Sequence, residues 1–255
     1  MAEQAPSRPR LTILVAARDE AARIGATVAE LRALFPDAQV LVADDGSRDA
    51  TADVAAAAGA RVVRLPRRGK GQALTLAERE APPGPLLLCD ADLRGDLRPL
   101  LESEADVAIA AFSRRVGGGF GLARGAARRL IAGTSGFTAR EPLSGQRRLS
   151  ARARPLLFPL AAGFGVESRM TAEAVRARLD VEEVELDLEH RATTRDVSGF
   201  LHRGRQLRDI VLAFGPQAEN HRGLRLPLVG WVVGIASPGV APVALLGLAD
   251  APPTR

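Results

Sequence analysis

Within the first 92 residues the chain alternates four times between a short apolar run and a segment of helical or turn character, and three of the four runs end in acidic residues. No other feature limits the fold as tightly. Leu11 to Ala16 is apolar and partly β-branched and opens into Ala17-Arg18-Asp19-Glu20. A helix follows to about Leu34, with Ile24, Val28, Leu31 and Leu34 on one face, and Pro36-Asp37 ends it. Val40 to Ala43 runs into Asp44-Asp45-Gly46-Ser47, a helix spans about Asp49 to Ala58 with Gly59 as its stop, and Arg61 to Leu65 is the third run. Arg67-Arg68-Gly69-Lys70-Gly71-Gln72 leads into a helix reaching about Glu80. The fourth run, Leu86-Leu87-Leu88-Cys89, enters Asp90-Ala91-Asp92. Such runs are the mark of parallel strands buried on both faces. The pattern predicts an α/β fold with a Rossmann-like, mostly parallel twisted sheet flanked by helices. In open sheets of this kind ligands bind beyond the carboxyl ends of the strands, so the acidic clusters should line one rim.

Past Asp92 the pattern loosens. Leu97 to Ser103 reads as a short helix and Val107 to Phe112 as a strand; Gly117 to Gly121 is a loop before an Arg-rich helix, Leu122 to Ala132. Glu141 to Gln146 is irregular, and Gly163 to Glu167 precedes a helix to about Leu179. Val184, Leu186 and Leu188 alternate with Glu185, Asp187 and Glu189, as a half-exposed strand should, up to His190-Arg191. Phe200 to Phe214 has the period of an amphipathic helix. The expected organisation is a disordered N-terminus (1–10), a first half (11–112), a second half (113–215) and an apolar tail (222–255). Within the tail, 226–249 holds no charged residue in 24 positions, enough to span a bilayer, although three prolines and four glycines interrupt it. Membrane contact through this tail is expected, with an apolar cap packed on the domain as the other reading.

One cysteine, Cys89, excludes an internal disulfide and a Cys-based zinc cage, and three histidines argue against a His-rich metal centre. Charge is uneven: residues 1–110 hold 14 Lys plus Arg against 17 Asp plus Glu, and residues 111–255 hold 21 against 13. The basic half implies an anionic partner. With no tyrosine and 4% aromatics there is no platform for stacking bases, so nucleic acid is not expected. Lys70 is the only lysine, every other cationic side chain being arginine, which singles out a position that needs a compact ammonium. Residues 1–10 carry no apolar signal-peptide core. The expected compartment is the cytoplasm, at the inner face of the membrane if the tail engages it.

Asp90 and Asp92, one residue apart at a strand end, offer two hard oxygen ligands suited to Mg²⁺ or Mn²⁺; a capped turn is the plainer alternative. No G-x-G-x-x-G follows the first strand and there is no P-loop, which counts against a dinucleotide-binding domain. The stretches VAARDEAARI, VADDGSRDAT, RRGKGQAL and LLLCDADL, in this order, resemble the family 2 nucleotide-sugar glycosyltransferases of the GT-A fold. The resemblance implies that Ala17, Asp19 and Glu20 line the base and ribose pocket and that Asp44 contacts the nucleoside. Lys70 and Gly71 would lie near the diphosphate, and Asp90 and Asp92 would form the D-x-D metal site.

The second half is similar to two groups within this family. Glu141 to Gln146 sits where dolichyl-phosphate-mannose synthase-like enzymes carry an acidic residue, while PLSGQ, GFGVE and EHR resemble glucosyl-3-phosphoglycerate synthases. The latter likeness makes His190 a third metal ligand. The expected activity is metal-dependent transfer of a sugar from a nucleoside-diphosphate sugar to a phosphate-bearing acceptor, either polyprenyl phosphate or a soluble one such as phosphoglycerate. Arg114, Arg115, Arg124, Arg128, Arg147 and Arg148 are candidates for holding phosphates. Glu141 is the candidate base if the anomeric configuration inverts. A nucleotidyltransferase is a weaker alternative, since no glycine precedes Gly25 after the first strand; a non-catalytic nucleotide-sugar-binding module is another.

Overall fold

A computed structural model describes residues 10–92, 95–112, 122–161, 165–187 and 212–214, all within one compact unit, Met1–Leu224. Its elements are β1 (Thr12–Ala17), α1 (Ala21–Leu34), β2 (Gln39–Asp45), α2 (Thr51–Ala57), β3 (Arg61–Leu65), α3 (Lys70–Glu78), β4 (Leu86–Asp90), α4 (Arg98–Glu102), β5 (Val107–Phe112), α5 (Leu122–Ser135), β6 (Arg147–Leu149), α6 (Arg154–Leu157), α7 (Val166–Arg176) and β7 (Val181–Leu186). The strands form one sheet in the order β3-β2-β1-β4-β6-β5-β7. Neighbours run parallel except at β6, which is antiparallel to both β4 and β5.

Alternation along the central strands divides the core between the two faces of the sheet. Ile13, Val15, Val40, Val42, Leu87 and Cys89 pack with Ile24, Val28 and Leu31 of α1 and Leu100 of α4. Leu14, Leu41, Leu86 and Leu88 pack on the other face with Ala73 and Leu74 of α3 and Val166 and Met170 of α7. Each such fully buried aliphatic side chain contributes about 1.5–3 kcal/mol through removal from water. This two-sided burial is why β1, β2 and β4 read as unbroken apolar runs, while β3, at the sheet edge, keeps two arginines.

The structure corrects the sequence reading in three places. β6 is a strand where no strand is expected; its three residues are placed by pairing with Leu86–Leu88 on one side and Val107–Ile109 on the other. β7 begins at Val181 and ends at Leu186, earlier than the alternation of Val184 to Glu189 predicts, because register with β5 aligns Val107 with Val181. β2 extends to Asp45, so both acids of the Asp44-Asp45 pair lie within the strand. The N-terminal ten residues but for Arg10, residues 113–121 with Arg114, Arg115 and the expected loop Gly117 to Gly121, His190, most of the 200–214 segment and the 222–255 tail lie outside the described residues. Among the described residues no helix is long and apolar enough to cross a membrane.

Candidate active site

The sheet reverses its winding between β1 and β4: the chain proceeds from β1 outward to β2 and β3, then returns to place β4 on the other flank of β1. A crevice opens at such a switch point beyond the carboxyl ends of the strands. Register brings the acids there together, with Ala17 beside Asp44 and Ala16 beside Asp90. Successive residues of β2 point to opposite faces, so Asp44 and Asp45 do different things. Asp44 Oδ1 accepts the N–H and the hydroxyl of Ser47. Asp45 accepts the N–H groups of Arg68 and Gly69, at 2.6 and 2.9 Å, and so pins the loop that starts α3 and presents Lys70.

The loop after β1 is laced to the loop after β2. Asp19 N–H donates to Ser47 Oγ at 3.0 Å, Glu20 N–H to Thr51 Oγ1 at 2.7 Å, and Ala21 N–H to Asp49 Oδ2 at 3.1 Å. In dinucleotide-binding sheets the first helix offers its free N–H groups to a pyrophosphate. Here the Asp19, Glu20 and Ala21 N–H groups are taken by the loop after β2 and a carboxylate, Asp49, already stands at that helix end, which agrees with the lack of a Gly-rich fingerprint. Ala17 is buried, whereas Asp19 and Glu20 keep side-chain surface at the rim.

Lys70 opens α3 and its ammonium bridges two carboxylates, Asp90 Oδ1 and Glu167 Oε1, each at 2.6 Å. Burial opposes the charged form, but Asp90 and then Glu167 outweigh it and lift the Lys70 pKa well above its ordinary 10.5. Asp90 Oδ2 accepts Gln146 Nε2–H at 3.0 Å. A side chain at Gly145 would bring its Cβ within 2.4 Å of that same oxygen, so only glycine lets the backbone lie against the Asp90 carboxylate. Gly71 has a comparable role at the seam of α3 and α7: a Cβ there would stand 1.8 Å from the Ala161 carbonyl oxygen, so the absence of a side chain lets α7 deliver Glu167 to Lys70.

Asp92 stands exposed in the turn after β4, within electrostatic reach of Arg23. The carboxylates of Asp90 and Asp92 are hard oxygen donors, the donor chemistry that Mg²⁺ and Mn²⁺ prefer. Both Asp90 oxygens are engaged by Lys70 and Gln146, which leaves Asp92 the more accessible of the two. Among the described residues no group of three or more His, Cys, Asp or Glu is placed to hold a metal, and His190 falls outside them.

On the far side of the site, Glu141 is mostly buried and its Oε1 accepts Arg124 Nη2–H at 2.8 Å. Its own N–H, with that of Arg140, is held by the buried carboxylate of Glu183 on β7. Arg147 is not at the surface, as a phosphate-holding residue was expected to be. It has no exposed area; its Nε–H donates to the Ser144 carbonyl and its Nη1–H to Thr171 Oγ1, both at 2.8 Å, while Nη2 has no hydrogen-bond partner among the described residues. Burial lowers its pKa to about 10 against the pull of Glu167, Glu183 and Asp90. Arg148 turns away from the cluster to the Ala105 carbonyl, and Arg128 is exposed. The structure thus gathers Asp44, Lys70 and Asp90 with Asp19 and Glu20 along one rim. It adds Glu167, Gln146 and Gly145, whose only signals in the sequence are the PLSGQ and GFGVE stretches.

A doubly wound sheet with one antiparallel insertion and a row of carboxylates at its switch point defines a GT-A fold. The family model for glycosyl transferase family 2 matches residues 12–139, half of the chain. The chain belongs to glycosyl transferase family 2, and it is a glycosyltransferase. Among solved structures, a mycobacterial protein is 26% identical with a TM-score of 0.67, over 81% of this chain and 73% of its own. Glucosyl-3-phosphoglycerate synthase from Mycobacterium tuberculosis in complex with phosphoglyceric acid is 25% identical with a TM-score of 0.63, over 80% of each chain. The same enzyme in complex with Mn²⁺, uridine diphosphate and glucosyl-3-phosphoglycerate is 25% identical with a TM-score of 0.62, again over 80% of each chain. Mannosyl-3-phosphoglycerate synthase from Rubrobacter xylanophilus, at 24% identity, shares the fold, with a TM-score of 0.66 over 86% of this chain and 77% of its own. No curated protein matches the chain.

Proposed function

We propose that this glycosyltransferase moves a sugar from a nucleoside-diphosphate sugar to a phosphate-bearing acceptor, with a divalent cation as cofactor. The observation that carries the reading is the Lys70 ammonium bridged between Asp90 and Glu167 at the switch point, with Asp44 across the rim. In this reading Asp19, Glu20 and Asp44 hold the nucleoside, their carboxylates accepting from base N–H groups and ribose hydroxyls. Lys70 stands beside the diphosphate as a point charge that an arginine fork replaces poorly. Asp92, with Asp90 and His190, would hold Mg²⁺ or Mn²⁺, an ion that supplies charge neutralisation on the departing diphosphate. Asp90 and Glu167, fixed by Lys70 and Gln146, can accept from hydroxyls of the transferred sugar, which orients it.

Glu141, paired with Arg124, is the candidate base for an inverting outcome. A phosphate-oxygen acceptor arrives already ionised and would not need it. Phosphoglycerate is the first acceptor to try, supported by the synthases of similar fold; polyprenyl phosphate is the second, supported by the uncharged stretch 226–249. The test is a panel of nucleotide sugars with Mg²⁺ or Mn²⁺, read as release of the nucleoside diphosphate, for the wild type and Asp92→Ala. Metal-dependent release lost in the variant supports the reading. Release from no donor, with both acceptors supplied, rejects it in favour of a binding module or a nucleotidyltransferase.

A further inference from the structure

Two hydroxyls tie the start of α1 to the loop after β2 and each donates onward to a carboxylate: Thr51, between the Glu20 N–H and Asp49, and Ser47, between the Asp19 N–H and Asp44, the acid at the rim. Ser47 Oγ accepts the Asp19 N–H at 3.0 Å, and its hydroxyl donates to Asp44 Oδ1, which also accepts the Ser47 N–H at 3.2 Å. In return, Asp19 Oδ1 accepts the Arg48 N–H at 2.8 Å. Asp19 lies at φ 54°, in the left-handed region that a residue with a side chain enters at a cost. The Ser47 hydroxyl is therefore the one group that holds both the backbone of Asp19 and the carboxylate of Asp44. Two donors from Ser47 occupy Oδ1 of Asp44, and Oδ2 accepts no hydrogen bond from any described residue. The lone pairs available to a ligand are thus confined to one oxygen of known orientation.

We propose that Ser47 is a positioning residue for the donor's nucleoside, acting through Asp44 and Asp19 without touching the substrate itself. The inference rests on the reading of Asp44 and Asp19 as nucleoside contacts. Without the hydroxyl, the Asp44 carboxylate keeps one backbone donor and turns more freely, and Asp19 is held to the loop only by its own carboxylate on the Arg48 N–H. The cost falls on ground-state binding of the nucleoside, which donor and transition state share, and so on affinity more than on turnover.

The probes are UDP and GDP, titrated calorimetrically in the presence of Mn²⁺ against the full chain, with donor kinetics on the same variants. Ser47→Ala is expected to bind the favoured nucleotide about tenfold more weakly at unchanged stoichiometry, with kcat within about twofold of the wild type. Ser47→Thr, which keeps the hydroxyl, is expected to restore the affinity. A merely structural role would lower Tm and the active fraction and leave the Kd of the folded remainder as it was. Wild-type affinity in Ser47→Ala, loss of stoichiometry at unchanged Kd, or failure of Thr to restore binding would each overturn the inference. Asp44→Asn separates it from the reading beneath: if Asp44→Asn weakens binding and Ser47→Ala does not, the inference alone falls. If Asp44→Asn binds as the wild type does, or the wild type binds neither nucleotide, the assignment of Asp44 falls and the inference with it.

Discussion

Lys70 is a residue whose surroundings dictate its state. Its stabilising contribution is fully present below the unfolded value of 10.5 and is lost only as pH rises through the higher folded value. No weakening of the Asp90–Lys70–Glu167 bridge is therefore expected between pH 7 and about 10, and a pH–rate profile should show no alkaline limb from this group there. Lys70→Met leaves two carboxylates facing each other and should cost about 2–3 kcal/mol, less than the full penalty for a buried pair because Lys70 keeps 26% of its side chain exposed. Adding Glu167→Gln should return part of the lost Tm and none of the activity; recovery of transfer in the double variant would remove Lys70 from the chemistry. Cys89, directly before Asp90, is buried, and burial together with that carboxylate pushes its thiol pKa up. It should resist alkylation in the native protein at pH 8 and react fully in denaturant, as mass spectrometry would show.

At the scale of elements, the segment between α5 and β6 is fastened at both ends. Glu183 of β7 holds the N–H groups of Arg140 and Glu141, while Gly145 and Gln146 lie against Asp90. Gly145→Ala should displace the Asp90 carboxylate and lower kcat by about a hundredfold, with a far smaller effect on Tm. Glu183→Ala should cost about 1–3 kcal/mol in denaturant unfolding, since charge-assisted bonds to two backbone donors, one exposed and one half-buried, are lost together. β1, β2 and β4 are legible in the sequence because burial on both faces makes each a plain apolar run, and β3 because it stands between two helical patterns. Asp19, Asp44, Lys70 and Asp90 are legible because they follow or begin those runs. β6 is not: it has three residues, two of them arginine, and only its partners on either side make it a strand. Arg147 reads as a surface charge because nothing local announces that Ser144 and Thr171 will enclose it. Glu167 reads as an ordinary first-turn acid, and only the packing of α7 on α3 brings it to Lys70. The buried Glu183 breaks the alternation by which β7 was sought, which is why that strand is displaced in the sequence reading.

For the molecule as a whole, the Glu20 and Ala21 N–H groups at the start of α1 are already bonded, and the proposed transfer is expected to depend on cations beyond the helix. Removal of divalent metal with EDTA should abolish nucleoside-diphosphate release while leaving the unfolding transition within about 1 kcal/mol, since among the described residues no group of three or more His, Cys, Asp or Glu is placed to bind a metal across the core. Mn²⁺ or Mg²⁺ should restore it; activity retained in EDTA would take the metal out of the reaction. The antiparallel β6 has one more consequence, for the order in which the chain can be made. β5 leaves the ribosome well before β6, yet it has no place beside β4 until residues 147–149 slide between them. During that interval Leu86–Leu88 and Val107–Ile109 both present open backbone edges, the kind of surface on which nascent chains join to one another. A three-residue strand thus closes the sheet late in synthesis, and truncation anywhere before Leu149 should yield a product that aggregates instead of a smaller soluble domain.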